Sequence, residues 1–230
     1  MKKRMLLLVL AGLICFSGCT AKSPEPESAA AEKPAIYLYP QETEEPREEK
    51  PAIYTYPEDA AEITVKLDYT GTLLCTYPEY RDGWHVRATP DGVITDASGC
   101  QYNYLFWEGI GGADYDFSRG FVVAGSDTAA FLEEKLQYIG LNDREIDDFI
   151  TYWLPRMQDS RYNLIAFQDK AYTDTAKLTV TPEPDTMLRV FMAWKPLHRS
   201  IEIPEQALKP TEREGFTVVE WGGCQVTDWE

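Results

Sequence analysis

Histidine is almost missing from this 230-residue chain, which carries only His85 and His198. No Cys-x-x-Cys pair occurs either, so the sequence argues against a structural zinc site, and any metal would have to be held by carboxylates. Basic residues are scarce beside acidic ones, 22 Lys and Arg against 38 Asp and Glu, for a net charge of −16. A surface this negative is a poor partner for nucleic acid or anionic headgroups; cations, cationic polymers and neutral glycans fit it better, and the acidity also serves plain solubility. There is no Gly-x-Ser-x-Gly elbow and no cysteine–histidine signature for a nucleophile. The Gly109–Gly112 stretch lacks a following lysine and sits among acids, which excludes a phosphate cradle. Long apolar runs are absent too. The longest, Met5 to Ile14, is too short to span a bilayer as a mature helix.

That run is informative for what surrounds it. Lys2, Lys3 and Arg4 precede it and Phe16-Ser17-Gly18-Cys19 follows, the order of a cationic region, an apolar region and small residues before a cleavage site. Ser17-Gly18-Cys19 resembles the lipobox of bacterial lipoproteins, with Phe16 where leucine is usual. The resemblance implies a diacylglycerol thioether on Cys19, palmitate-type acylation and a mature chain beginning at Cys19. The expected division is a signal peptide over 1–18, a lipidated Pro/Glu-rich tether over 19–49 and one domain over 50–230. Removing three cationic residues with the signal takes the net charge from −16 to −19. The expected location is the extracytoplasmic face of a bacterial cell membrane, with the lipid on Cys19 as the membrane partner. Cys75, Cys100 and Cys224 then remain, which permits one disulfide at most.

The tether is too polar to bury a core and is stiffened by proline; its typical reach is roughly 30 Å. It contains a near copy of the segment that enters the domain. Residues 32–40, EKPAIYLYP, recur as 49–57, EKPAIYTYP, with Leu38 against Thr55 as the single difference. Alternating β-formers between prolines read as a short edge strand, because proline cannot donate to a ladder. The spare copy either adds to an open sheet edge of a neighbouring molecule or only lengthens the tether.

Period-two alternation over Ile63–Tyr69 predicts a strand, and Thr70-Gly71 a hairpin turn into a second strand at Thr72–Tyr77. Further strands are expected at Trp84–Thr89, Val93–Thr95 and Gln101–Glu108. Two amphipathic helices follow. Ala129, Leu132, Leu136 and Ile139 share one face of the first, with Ser126 or Asp127 as its cap and Gly140 as its stop. Asn142 and Glu145 open the second as a capping box, its stripe is Ile146, Phe149, Ile150 and Trp153, and Pro155 ends it. Strands resume at Tyr162–Phe167, Ala176–Thr181, Met187–Trp194 and Phe216–Trp221. The expected fold class is α+β, an antiparallel β-sheet or small sandwich with an inserted αα-hairpin.

Lys50-Pro51-Ala52-Ile53-Tyr54-Thr55-Tyr56-Pro57, Tyr102-Asn103-Tyr104-Leu105-Phe106-Trp107-Glu108 and Val218-Val219-Glu220-Trp221-Gly222-Gly223 carry a second resemblance. Together they resemble a family of uncharacterised exported bacterial proteins with KPxIYxYP and YNYLxWE motifs, over about residues 50 to 224. That resemblance implies no activity.

Trp107 and Glu108, beside the glycine loop with Asp114 and Asp116, form the candidate ligand or metal site: a carboxylate cation site or an acid/base pair. An EF-hand is excluded, since Arg119 stands at its required glycine and Gly125 at its bidentate glutamate. Tyr77, Tyr80, Trp84, Tyr102, Tyr104, Trp107 and Tyr115 supply either an aromatic platform for sugar rings or core packing. The chain therefore reads as a non-catalytic envelope-binding or interaction module, with an envelope glycan or protein as partner, no cofactor and no assigned oligomeric state. The alternative is an envelope hydrolase acting on glycan or cell wall through Glu108 with Asp114 or Asp116.

Overall fold

The seam on which the fold is built joins three strands that are far apart in sequence. In a computed structural model, which describes residues 47–111 and 113–226, the strands are β1 (Arg47–Tyr56), β2 (Ala61–Tyr69), β3 (Thr72–Tyr77), β4 (Trp84–Ala88), β5 (Ile94–Thr95), β6 (Gln101–Tyr102), β7 (Leu105–Ile110), β8 (Phe121–Ala124), β9 (Tyr162–Gln168), β10 (Ala176–Thr181), β11 (Thr186–Leu197) and β12 (Thr217–Gln225). The helices are α1 (Thr128–Ile139), α2 (Asp143–Met157) and the single turn α3 (Lys170–Thr173). A seven-stranded sheet has the order β3-β7-β1-β12-β11-β9-β8, and a five-stranded sheet the order β10-β2-β4-β5-β6. β1 lies between β7 and β12, antiparallel to both.

Period two on β1 sends its residues to two cores. Ala52 and Tyr54 join a cluster with Leu132, Leu136, Phe149, Trp153 and Trp221, between the sheet and the helices. Ile53 joins Ile63, Val65, Trp84, Trp107 and Val218 between the two sheets. The result is three layers: helices, large sheet, small sheet. Two glycines after Trp221 allow the layers to close. A Cβ on Gly223 would lie 2.5 Å from the Met192 carbonyl and 3.0 Å from the Trp153 ring, and one on Gly222 would press on Pro51.

Several expectations are corrected. β1 is an interior strand, not an edge. It accommodates Pro51 because the register slips between Glu49 and Ala52 against β12 and between Glu48 and Ala52 against β7. The missing N–H therefore falls in a bulge and leaves no ladder bond unmade. The expected hairpin at Thr70-Gly71 is a crossing between sheets, with β2 in the small sheet and β3 on β7. Only a glycine fits that corner, since a Cβ on Gly71 would meet the Ile110 carbonyl at 2.2 Å. The aromatic strand 101–108 divides at Asn103-Tyr104 into β6 and β7, again in different sheets. The large sheet is mixed rather than antiparallel, because β11 and β12 run parallel.

The helices follow their sequence signals with two exceptions. Asn142 and Glu145 form the capping box, and Gly140 ends α1 at φ 119°. α1 has no side-chain cap bond from Asp127, and Pro155 lies inside α2, whose last residue is Met157. Glu145 is fully buried and pairs with Arg213, whose guanidinium also donates to the Gly140 carbonyl at 2.7 and 2.9 Å. The segment after β11 is thereby fastened to the junction of the two helices.

A second buried pair ties the sheets together. Glu220 on β12 and Arg189 on β11 are register partners, and Arg189 Nε donates to Glu220 Oε2 at 2.6 Å. Arg189 also donates to the Ala176 carbonyl of β10, across the layer, at 2.6 Å. Burial pulls the guanidinium's pKa down, and the Glu220 carboxylate together with the Tyr172 side chain outweighs it, leaving the value raised. Removing one partner leaves the other charge buried and unpaired. Glu220→Ala is expected to cost about 3–5 kcal/mol in urea denaturation, and the double change Arg189→Met with Glu220→Leu distinctly less; equal losses would contradict this account of the pair.

Candidate functional site

The helix-side core draws on β1, β12, β11, β9 and β8, and stops short of β7 and β3. On that face the outer two strands form a shelf. Register sets Phe106 opposite Tyr77 and Glu108 opposite Cys75, so the four side chains share the face. Phe106, Glu108 and Ile110 are half-buried, Cys75 is exposed, and Tyr77 is 62% exposed. The shelf is thus apolar and aromatic with one carboxylate at its centre.

Its inner border is a tyrosine cluster built by the IYxYP segment. Tyr54 and Tyr56 stand two residues apart on β1, so both project toward α2, their rings parallel within 4° at 6.4 Å. Tyr54 donates to Asp148 Oδ2 at 2.7 Å, and Tyr104 packs at 5.4 Å from the Tyr54 ring. Arg144 lies 6.0 Å over Tyr54 and Arg213 5.8 Å over Tyr56. Burial first, then the Asp148 carboxylate, pushes the Tyr54 phenol well above its ordinary value. Burial and the charge of Glu145 do the same to Tyr56.

The four predicted site residues do not meet as one cluster. Trp107 is wholly buried between the sheets, where its ring packs 4.9 Å from Tyr69 and its indole N–H donates to Glu220 Oε1 at 3.3 Å. Glu108, its neighbour, faces the opposite side. The loop after β7 is a strap over the inter-sheet face of the large sheet: Tyr115 stacks on Phe191 of β11 at 5.3 Å, and Phe117 lies 4.4 Å under Lys195. The backbone of Asp116 is then clamped by the Gln168 amide of β9, with two bonds of 3.0 Å. β9 is four strand spacings from β7, which puts roughly 15–20 Å between Glu108 and Asp116. A glycosidase pair works at about 5–10 Å. Asp114 is exposed on the strap, and Asp116 accepts from the Ser118 N–H, which lowers its pKa. Among the described residues no group of three or more His, Cys, Asp or Glu can hold a metal ion.

The other singled-out residues are placed as follows. Trp84 is core, and its N–H donates to the Pro78 carbonyl at 2.8 Å. Tyr80 packs on Trp84, and its hydroxyl bonds both the N–H and the carbonyl of Leu67. Of the aromatic platform, Tyr77 is exposed and packs edge-on against Tyr102 at 5.3 Å, while Tyr102 and Tyr104 are half-buried against the two cores. His85 is exposed, with its ring 3.1 Å from the Thr64 hydroxyl. Cys75 and Cys100 are exposed thiols and Cys224 is buried, with no disulfide among the three. Sequence reasoning passed over Glu220, although a lone acid in one apolar strand and a lone base, Arg189, in another are the signal for a buried pair.

Two outcomes follow from these placements. Trp107→Ala is expected to cost about 3–5 kcal/mol, as for a large core residue, whereas Glu108→Ala stays within about 0.5 kcal/mol; similar urea midpoints for the two would contradict their assignment to core and shelf. Tyr54 and Tyr56 have folded-state pKa values above the ordinary 10.0. Their contribution to stability is therefore complete below about pH 10 and is lost as pH rises above it, because the unfolded chain releases these protons first. Phenolate absorbance is expected to show both ionising only with unfolding; titration alongside the exposed tyrosines in an intact fold would contradict this.

No family model matches the chain, and no solved structure matches it. A protein of Butyrivibrio fibrisolvens described as "Uncharacterized protein in bglA 3'region" is 40% identical over 104 residues, which are 44% of this chain and 86% of that protein. With the greater part of that relative aligned at this identity, the chain belongs to the same family as the Butyrivibrio fibrisolvens protein of the bglA 3' region.

Proposed function

We propose that the protein is a membrane-anchored extracytoplasmic lipoprotein that binds an envelope partner without catalysing a reaction. In this reading residues 1–18 are a signal peptide, Cys19 carries the lipid, residues 19–49 are the tether and residues 50–230 the working domain. The observation that carries it is the cysteine itself: Cys19 directly follows Ser17-Gly18 at the end of a cationic and then apolar leader. The polar, proline-rich composition after it suits a spacer, and the leader and residues 19–46 lie outside the described residues. Among the described residues no helix is long and apolar enough to cross a membrane, so a lipid would be the attachment this reading needs.

The β7–β3 shelf is the binding surface in this proposal. Exposed Tyr77, with Phe106 and Tyr104 beside it, offers flat apolar faces to a sugar ring or an aromatic side chain, and Glu108 offers one acceptor. A neutral glycan or a protein segment suits that mixture better than a polyanion. α1 and α2, joined by Gly140–Asn142, act as an αα-hairpin inserted between β8 and β9, and among the described residues the core they cover does not extend to β7 or β3.

Anchoring is tested by expressing the full chain and Cys19→Ala in a bacterial host supplied with labelled palmitate. The full chain is expected to carry label and sediment with membranes, and Cys19→Ala to lose the label and be released from the membrane fraction. Retention of Cys19→Ala with membranes would contradict the proposal.

A further inference from the structure

The duplicated segment takes on a different meaning once β1 is known to be interior. An edge strand can be joined by a second copy, but an interior slot holds one strand at a time. The slot between β7 and β12 is filled by residues 52–56, paired to Trp221, Glu220, Val219, Val218 and Thr217 on one side and, at Ala52 and Ile53, to Phe106 and Leu105 on the other. Ala52, Ile53, Tyr54 and Thr55 have no exposed surface. Residues 35–39 offer the same series, Ala35-Ile36-Tyr37-Leu38-Tyr39, with prolines at the same places before and after. Over residues 49–57 the copies differ only at Thr55 against Leu38; before that, Arg47 and Glu48, which pair with Ile110 and Gly109, stand where the spare copy has Ala30 and Ala31.

At position 55 the resident side chain is polar and the spare one apolar. Thr55 lies beside Val218 in the inter-sheet layer, and its buried hydroxyl has no hydrogen-bond partner among the described residues. An unpaired buried hydroxyl opposes burial, and the spare copy carries an apolar Leu38 there instead. What favours the resident is its short connection: Pro57–Ala60 lead directly to β2, whereas docking of the spare copy leaves residues 41–60 as the link. That entropic penalty grows only logarithmically with loop length. A spare copy on the same chain also meets the slot at a high effective concentration, which puts exchange within one molecule ahead of exchange between molecules.

We propose that residues 33–40 can replace residues 50–57 in the central slot, so that the protein has two tether lengths. With the spare copy docked, the domain begins 17 residues closer to Cys19. Reach scales with the square root of length, so the expected reach of the tether sequence shortens from roughly 30 Å to roughly 20 Å. This change of reach rests on the lipid-anchor reading; the strand exchange does not.

The test uses the full chain with a charge placed in one copy or both. Ile53→Asp puts a carboxylate into the inter-sheet core and expels the resident strand. If the spare copy takes its place, Ile53→Asp keeps a single cooperative unfolding transition, Ile36→Asp resembles the unchanged protein, and the double variant loses the transition altogether. Glutamyl endopeptidase then cuts folded Ile53→Asp among Glu42, Glu44, Glu48 and Glu49 with the N-terminal fragment still bound to the body. An Ile53→Asp chain as unfolded as the double variant would overturn the proposal. So would a double variant that still folds, or release of the N-terminal fragment on cutting. None of these readouts depends on lipidation, so failure of the exchange and failure of the anchor are separable.

Discussion

One strand, β1, has to be accommodated between two others before either core can close. Its even-numbered residues Ala52 and Tyr54 complete the helix-side core, and Ile53 and Thr55 complete the layer between the sheets. β7 and β12 hydrogen-bond to it from either side, and they come from the middle and the far end of the chain. Long-range pairing of this kind is favourable only when the backbone groups on both sides of the strand are satisfied together. The three segments that stood out in the sequence, around IYTYP, YLFWE and VVEWGG, are these three adjacent strands. Their shared demand is structural: tyrosines to hold α2, a tryptophan and a glutamate for the inter-sheet layer, and glycines where Pro51 and Trp153 press on the sheet.

That demand also explains why the most conspicuous candidate site dissolves. Trp107 and Glu108 are neighbours in sequence but lie on opposite faces of a strand, so one is core and the other shelf. Asp116 follows Glu108 closely, yet Tyr115 and Phe117 beside it pack into the inter-sheet layer, and Gln168 holds its backbone at β9. What survives is a half-open aromatic surface with a single carboxylate, at the edge where the helices stop.

Element positions were largely legible in the sequence, because period-two alternation and capping residues are local signals. Asn142 with Glu145 and Gly140 mark the helix ends where the structure has them. Pairing was not legible. Thr70-Gly71 has the form of a hairpin turn, but Gly71 serves a crossing between sheets, and nothing in the local sequence separates the two. Pro51 signalled an edge because a lone proline breaks a ladder; a bulge at the same residue removes the objection, and a bulge is visible only from the register of both neighbours. The buried Glu220–Arg189 pair had a readable trace, one charge in each of two apolar runs, but its partnership depends on β11 and β12 lying parallel and side by side.

The central claim is that the slot between β7 and β12 must be filled for any of the body to persist. Native-state hydrogen exchange tests it most directly, by comparing the opening free energy of amides along β12 with that of global unfolding from urea denaturation. The account predicts that the amides of Val218 to Trp221 exchange only through global unfolding, so that the two free energies coincide. Exchange of those amides at a clearly lower free energy, with the rest of the sheet still protected, would contradict it.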